Sequence, residues 1–124
     1  MLGSADLVAF VPATDLARAR AFYGEMLGLE RLDDTPIACV FDAHGTTLRV
    51  TLVDQLSAAP YTVLGWTVAG LEEMVRTMRD RGVAFELFPG MVQDDLGIWT
   101  SPGGDRVVWF KDPDGNVLSL TEAR

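Results

Sequence analysis

The sequence predicts an α+β fold made of two copies of one βαβββ module. Two segments of the 124-residue chain repeat apolar residues at helical spacing, and short apolar or alternating runs, typical of strands, surround each of them. Each half therefore has the order strand, helix and three strands, and residues 54–60 between the halves have the composition of a linker. We expect a single domain over residues 1–124, with module one at about residues 5–54 and module two at about residues 61–124.

The first module begins with an apolar run, Leu7–Val11, which predicts a strand that Pro12 ends. Thr14 or Asp15 is a suitable N-cap for the helix that follows, and Gly28 is a suitable C-terminal stop. The sequence Asp33–Pro36 is expected to interrupt the next strand. The three remaining strands are expected at residues 29–31, 37–41 and 46–53.

The second module repeats this order with a longer insert. A strand over Thr62–Val68 precedes a helix that opens at Leu71 and ends at Gly82. Alternation along the strand Thr62–Val68 places Trp66 on the helix side of the sheet. The extra residues fall in Pro89–Asp105, which is rich in glycine and proline. Further strand segments are expected at residues 84–88, 98–100, 107–110 and 117–121.

Composition excludes several classes of function. Hydrophobic residues make up 48% of the chain and charged residues 23%, as in an ordinary globular protein. The formal net charge of -8 argues against nucleic acid and anionic membranes as partners, because an acidic surface repels phosphate groups. No apolar run is long enough to span a bilayer, and the N-terminus lacks the basic region of a signal peptide. We therefore expect a cytoplasmic protein.

Two segments carry a resemblance to a known family. Asp15-Leu16, Ala21-Phe22-Tyr23 and Leu27-Gly28-Leu29 are similar to one motif of the vicinal oxygen chelate superfamily. The hairpin segment Phe110-Lys111-Asp112-Pro113-Asp114-Gly115-Asn116 is similar to another. That superfamily includes glyoxalases, extradiol dioxygenases and bleomycin-resistance proteins. The resemblance implies that two βαβββ modules form a curved mixed sheet whose concave face is a ligand cleft.

Enzymes of that superfamily hold a divalent metal with one His, Gln or Glu from each of four strands. Carried over residue by residue, the four positions are Val8, Arg49, Val63 and Ser119. None of them is a usual metal ligand, and the arginine would repel a cation. The chain also has only one histidine, His44, and one cysteine. We therefore predict no metal site and no cofactor.

The expected ligand-binding residues combine apolar, hydroxyl and cationic side chains, as small-molecule pockets do. They are Val8, Phe10, Phe41, Arg49, Thr51, Val63, Trp99, Trp109 and Ser119. Arg49 suits a carboxylate or an enolate, or forms a salt bridge to Glu122 or Glu86 instead. The tryptophans offer stacking surfaces or belong to the core, and strand parity across the turns does not decide which.

The function implied is a metal-independent glyoxalase/bleomycin-resistance-like protein that binds a small drug-like or natural-product ligand. The alternative is an enzyme of the same fold, of lyase, isomerase or dioxygenase type. Such an enzyme would use Arg49 or an unplaced metal to stabilise an enolate. The resemblance also implies a homodimer. The sign of the ligand's charge stays open, because the acidic chain favours a cation and Arg49 favours an anion.

Overall fold

The structure, a computed structural model, describes residues 1–124 and divides them into two compact modules, Met1–Ser57 and Ala58–Arg124. Each contains a four-stranded mixed sheet with helical structure on one face. The α+β class and the repeated βαβββ order predicted from the sequence are confirmed. No helix is both long and apolar enough to cross a membrane.

The first module has the sheet order β1-β4-β3-β2. Its strands are β1 Val8–Ala13, β2 Glu30–Thr35, β3 Ala38–Ala43 and β4 Thr46–Leu52. Only the pair β1–β4 is parallel. A short 3₁₀ helix, Leu2–Ser4, precedes β1. Strand β1 continues through Pro12, contrary to the prediction, because it lies at the sheet edge, where a missing N–H is tolerated.

The helix of the first module changes its winding. It begins as one α-helical turn, α1 Leu16–Ala19, and continues as a π-helix over Arg20–Met26. The Asp15 carboxylate accepts a hydrogen bond from the Arg18 amide at 3.1 Å, so the predicted N-cap is confirmed. The chain reverses at Gly28, whose φ is 78°, a left-handed conformation that favours glycine.

Strand β2 runs through the acidic segment that was expected to interrupt it. A register shift between Arg31 and Asp33 marks a bulge, after which pairing with β3 resumes. The Asp34 carboxylate lies 3.3 Å from the Arg31 guanidinium and 3.7 Å from that of Arg20. Charged residues are tolerated because β2 is an edge strand with an exposed surface.

The second module has the sheet order β5-β8-β7-β6. Its elements are β5 Thr62–Thr67, α2 Leu71–Asp80, β6 Trp99–Thr100, β7 Arg106–Lys111 and β8 Val117–Glu122. The predicted strand over residues 84–88 is reduced to one isolated bridge, from Phe85 to Phe110. The reason is that β6 pairs with the other end of β7, so two short segments share that edge.

The core of each module lies between its sheet and its helix. In the first module it includes Val11, Tyr23, Phe41, Leu48 and Val50, each at most 1% exposed. In the second module it includes Leu71, Val75, Val108, Phe110 and Leu118, each fully buried. Trp66 stacks on Phe110 with ring centroids 6.5 Å apart, which puts it on the helix side as predicted.

Candidate functional site

Each sheet has one face without a helix, which we call its helix-free face. Residues directly opposite in a strand pair point to the same side, so the register identifies the members of this face. In the first module they include Val8, Phe10, Thr47, Arg49 and Thr51. In the second module they include Gly65, Val107, Trp109, Ser119 and Trp99.

The helix-free face of the first module exposes apolar side chains around one cation. Phe10, 64% exposed, lies directly opposite Arg49, and Val40 is the neighbour of Arg49 on the other side. Arg49 has no ion pair and no side-chain hydrogen bond. The two acids that the sequence suggested as its partners pair elsewhere, Glu122 with Arg106 and Glu86 with Lys111. Its guanidinium therefore keeps its five donors for solvent or a ligand.

Thr51 contributes an unusual hydroxyl to this face. It lies between Pro12 and Ala38 in the register, and its Oγ1 atom is buried without a hydrogen-bond partner. A buried polar atom without a partner costs free energy, roughly 1–3 kcal/mol. The face thus combines an unpaired cation with an unpaired acceptor.

The helix-free face of the second module carries an aromatic cluster, which we call the aromatic wall: Phe88, Trp99 and Trp109. The two indole centroids lie 6.2 Å apart, and Phe88 meets Trp109 edge to face at 5.5 Å. Both tryptophans are partly exposed. They are therefore neither fully buried core residues nor loose surface residues, and their free surface is available for stacking.

A polar notch lies beside the aromatic wall. Ser119 is opposite Trp109 in one direction and Gly65 in the other. A Cβ atom at Gly65 would come within 2.7 Å of Ser119 Oγ, so glycine leaves room for this hydroxyl in its present rotamer. The Ser119 hydroxyl has no hydrogen-bond partner in the structure. It is placed to bond a group that stacks on Trp109.

Within the long insert of the second module, the Gln93 side chain joins the two segments that carry the aromatic wall. The Gln93 amide accepts a hydrogen bond from the Phe88 N–H at 2.8 Å. It also donates to the carbonyl groups of Glu86 and Gly97, at 3.0 and 2.8 Å. These bonds join the segment that carries Phe88 to the segment that carries Trp99. The aromatic wall is therefore pre-organised rather than borne on a loose loop.

The structure places the residues predicted from the sequence in two groups, one in each module, and leaves two of them outside both groups. Val8, Phe10, Arg49 and Thr51 share one face, and so do Trp99, Trp109 and Ser119. Val63 is the extra residue of a bulge in β5 and is 41% exposed. Phe41 points to the opposite face, where it is buried against Tyr23.

Sequence reasoning missed two contributors to the aromatic wall. Phe88 lies outside any regular strand, so alternation does not assign it to a face. Gln93 lies in a segment rich in turns, and nothing in its neighbours indicates that its amide holds three backbone groups. Both depend on how the insert folds back on β7.

The residues do not fit a divalent metal. The four positions implied by the family resemblance hold two valines, an arginine and a serine. No three side chains of His, Cys, Asp or Glu lie close enough together to bind an ion. The single histidine, His44, lies in an exposed turn with φ 51°. These side chains therefore do not form a divalent-metal site.

Comparison with known proteins gives a consistent family. The model of the Glyoxalase/Bleomycin resistance protein/Dioxygenase superfamily matches residues 6–120. A member of that superfamily from Sphaerobacter thermophilus is 25% identical, with a TM-score of 0.76, covering 99% of this chain and 100% of its own. A lactoylglutathione lyase from Agrobacterium tumefaciens is 20% identical, with a TM-score of 0.74 and coverage of 97% and 94%.

A third structure, a glyoxalase/bleomycin resistance protein/dioxygenase from Alicyclobacillus acidocaldarius, is 21% identical with a TM-score of 0.70. It covers 96% of this chain and 91% of its own. The search of curated proteins gave no match. At this level of identity the structural likenesses concern the fold.

Proposed function

This chain belongs to the Glyoxalase/Bleomycin resistance protein/Dioxygenase superfamily, and we propose that it is a metal-independent protein that binds a small aromatic, drug-like or natural-product ligand. The aromatic wall is the observation that carries this proposal. Two partly exposed indoles on one sheet face, tilted by 42° to each other, form an apolar aromatic surface with Phe88 packed edge to face on Trp109. Such surfaces bind planar ligands by stacking.

The hydroxyl of Ser119 supports the same proposal. Ligand sites are mostly apolar with a few placed polar groups that fix orientation. Ser119 Oγ stands beside Trp109 in the space that Gly65 leaves free. A ligand that stacks on Trp109 and carries one hydrogen-bonding substituent at its edge matches this arrangement.

Fluorescence titration with bleomycin, a glycopeptide drug that carries one planar heteroaromatic group, tests the proposal. Trp66→Phe is the background variant, because Trp66 lies on the opposite face and its removal leaves only Trp99 and Trp109 to report. We expect saturable quenching, weakened about tenfold by Trp109→Leu, since stacking contributes roughly 1–3 kcal/mol. Binding that is unchanged by Trp109→Leu would contradict the aromatic wall as the site.

A second candidate function is an enzyme that stabilises an enolate with Arg49. The observation that favours it is the unpaired guanidinium on the helix-free face of the first module. A fixed cation lowers the free energy of a developing oxyanion without a metal. Exchange of the methyl protons of pyruvate in D₂O, followed by NMR, tests this function. Exchange that is lost in Arg49→Gln supports it, and exchange no faster than in buffer argues against it.

Metal content separates both candidates from a conventional metal enzyme of the superfamily. Elemental analysis of the purified protein should find no stoichiometric Zn, Ni, Fe or Mn, because Val8, Arg49, Val63 and Ser119 provide no ligand set. A tightly held ion would overturn the metal-independent proposal. The homodimer and the cytoplasmic location stay predictions, and light scattering after size exclusion tests the former.

A further inference from the structure

The first module has a pocket on the helix side of its sheet, on the opposite side from the helix-free face of that module. Its volume is about 400 Å³, within the range of small-molecule sites. The helical segment forms one wall, and Leu29, Arg31 and Phe41 form the other. All of these residues belong to one module, so the pocket is complete within residues 17–41.

Two guanidinium groups converge at this pocket. Arg20 and Arg31 both line it, and both approach the single carboxylate of Asp34, at 3.7 and 3.3 Å. One carboxylate cannot satisfy the ten N–H donors of two arginines. Arg20 reaches one further acceptor, the Cys39 sulfur, at 3.7 Å. Asp34 therefore fixes the two cations side by side while leaving them a net positive charge and free donors.

The helix is wound to make room for the pocket. The Leu27 amide donates to the Phe22 carbonyl at 2.9 Å, a bond that spans five residues instead of four. This π-helical stretch supplies Arg20, Gly24 and Glu25 to the pocket wall. π-helices are rare, and π-helical turns within α-helices are frequent at functional sites.

The floor of the pocket is aromatic. Phe41 is 1% exposed, and its Cε1 atom lies 3.4 Å from where a Cβ at position 24 would be. Glycine at this helical position costs stability, about 1 kcal/mol relative to alanine. Without a side chain, the helix backbone at Gly24 packs directly against the Phe41 ring. The apolar surface that remains open to a ligand comes from Ala17, Ala21 and Leu29.

We propose that this pocket binds a small organic monocarboxylate with a flat apolar body. The body lies against Ala21 and Leu29, above the buried Phe41, and the carboxylate accepts hydrogen bonds from Arg20 and Arg31. Glu25, on the same wall and without an ion-pair partner, balances the charge left over by Arg20, Arg31 and Asp34. One carboxylate is therefore bound through the free N–H donors of the arginines, and a second negative charge is disfavoured. This site is independent of the aromatic wall and of Arg49, and it does not rest on the function proposed for them.

The test is a ¹H–¹⁵N NMR titration of the full chain with 2-naphthoate. The comparison compound is 2-naphthylmethylamine, which has the same body and the opposite charge. We expect saturable shifts of amides within residues 17–41 for the carboxylate only. Arg31→Gln should weaken binding about tenfold, as loss of a charge-assisted hydrogen bond does. Ala21→Leu should abolish binding by filling the pocket, and Ala21 is exposed, so the fold should be kept.

Arg76→Gln is the matched control, an exposed arginine on α2 of the other module, and it should bind as the unmodified chain does. Equal shifts by the amine would overturn the proposal, as would equal affinity of Arg31→Gln and Arg76→Gln. Shifts confined to the second module would also overturn it. That last result would leave the function proposed for the aromatic wall untouched.

Discussion

In the first module the residue directly before the helix caps its N-terminus. In the second module a carboxylate from the last strand caps the N-terminus of the helix instead. Asp15 Oδ1 accepts from the Arg18 amide, three residues on. The residue before α2 is Gly70, which has no side chain, and Glu122 Oε2 accepts from the Leu71 amide at 3.0 Å instead. The cap of the first helix comes from a neighbour in sequence. The cap of α2 comes from β8 and therefore forms only when that strand is in place.

The two helices also pack differently. Helix α2 is regular and places Leu71, Val75 and Met78 in the core. The first helix widens into a π-helix and leaves a pocket against its sheet. In the same βαβββ topology, the space between helix and sheet can therefore be tightly packed or can contain a pocket. The difference arises from the side chains on the inner face of each helix.

The largest expected effect tests this difference in packing. Leu71→Ala should lower the free energy of unfolding by about 2–5 kcal/mol, because Leu71 is fully buried. Leu16→Ala, at the start of the first helix, should cost clearly less, because Leu16 is only partly buried. Urea unfolding of both variants measures the contrast. Equal losses would show that the two helices are equally well packed.

The next effect concerns the aromatic wall, which has no counterpart in the first module. Gln93→Leu should lower the free energy of unfolding by about 1–3 kcal/mol, because three backbone groups lose a partner. The near-ultraviolet circular dichroism of the Trp99–Trp109 pair should weaken as well. Gln55→Leu, an exposed position in the connector, is the matched control. An unchanged indole signal in Gln93→Leu would break the link between Gln93 and the wall.

The third effect is a dependence on pH that distinguishes the two helix starts. Hydrogen bonds from Arg106, and then from the Leu71 amide, lower the pKa of Glu122. Its folded pKa is thus below its unfolded value of about 4.3, so its stabilising effect is complete above that pH. The effect is lost as the pH falls through the folded pKa.

Glu122→Gln should therefore be less stable than the unmodified chain at pH 7, and the difference should shrink in acid. Urea unfolding at several pH values measures this. The matched control is Glu73→Gln, which replaces an exposed acid in the first turn of α2. An identical pH profile for Glu122→Gln and the unmodified chain would exclude the ionised Glu122 carboxylate as a source of stability at this helix start.

Much of the fold could be predicted because it depends on local chemistry. The Asp15 cap, the left-handed Gly28 and the alternation of β4 each involve only neighbours in sequence. The errors have a common cause. Pro12 and the segment 33–35 belong to strands because β1 and β2 are edge strands, and edge position is a property of the sheet order.

The candidate sites were less predictable, for the same reason. Alternation put Phe10 and Arg49 on one face, but it did not show whether Trp99 and Trp109 meet, since a long insert separates their strands. It also did not reveal that Phe41 lies on the other side of its sheet, at the helix-side pocket.

The sequence by itself determined the repeated βαβββ modules, the helix starts and stops, and the lack of metal ligands at the four family positions. These follow from periodicity, capping chemistry and residue type, which act over a few residues or need only a count. The tertiary structure alone decided which aromatic rings form the wall, that Gln93 holds it, and that Glu122 caps α2. It also decided that Arg20 and Arg31 converge on Asp34. Each of these joins residues through strand register and sheet order, which sequence patterns constrain only weakly.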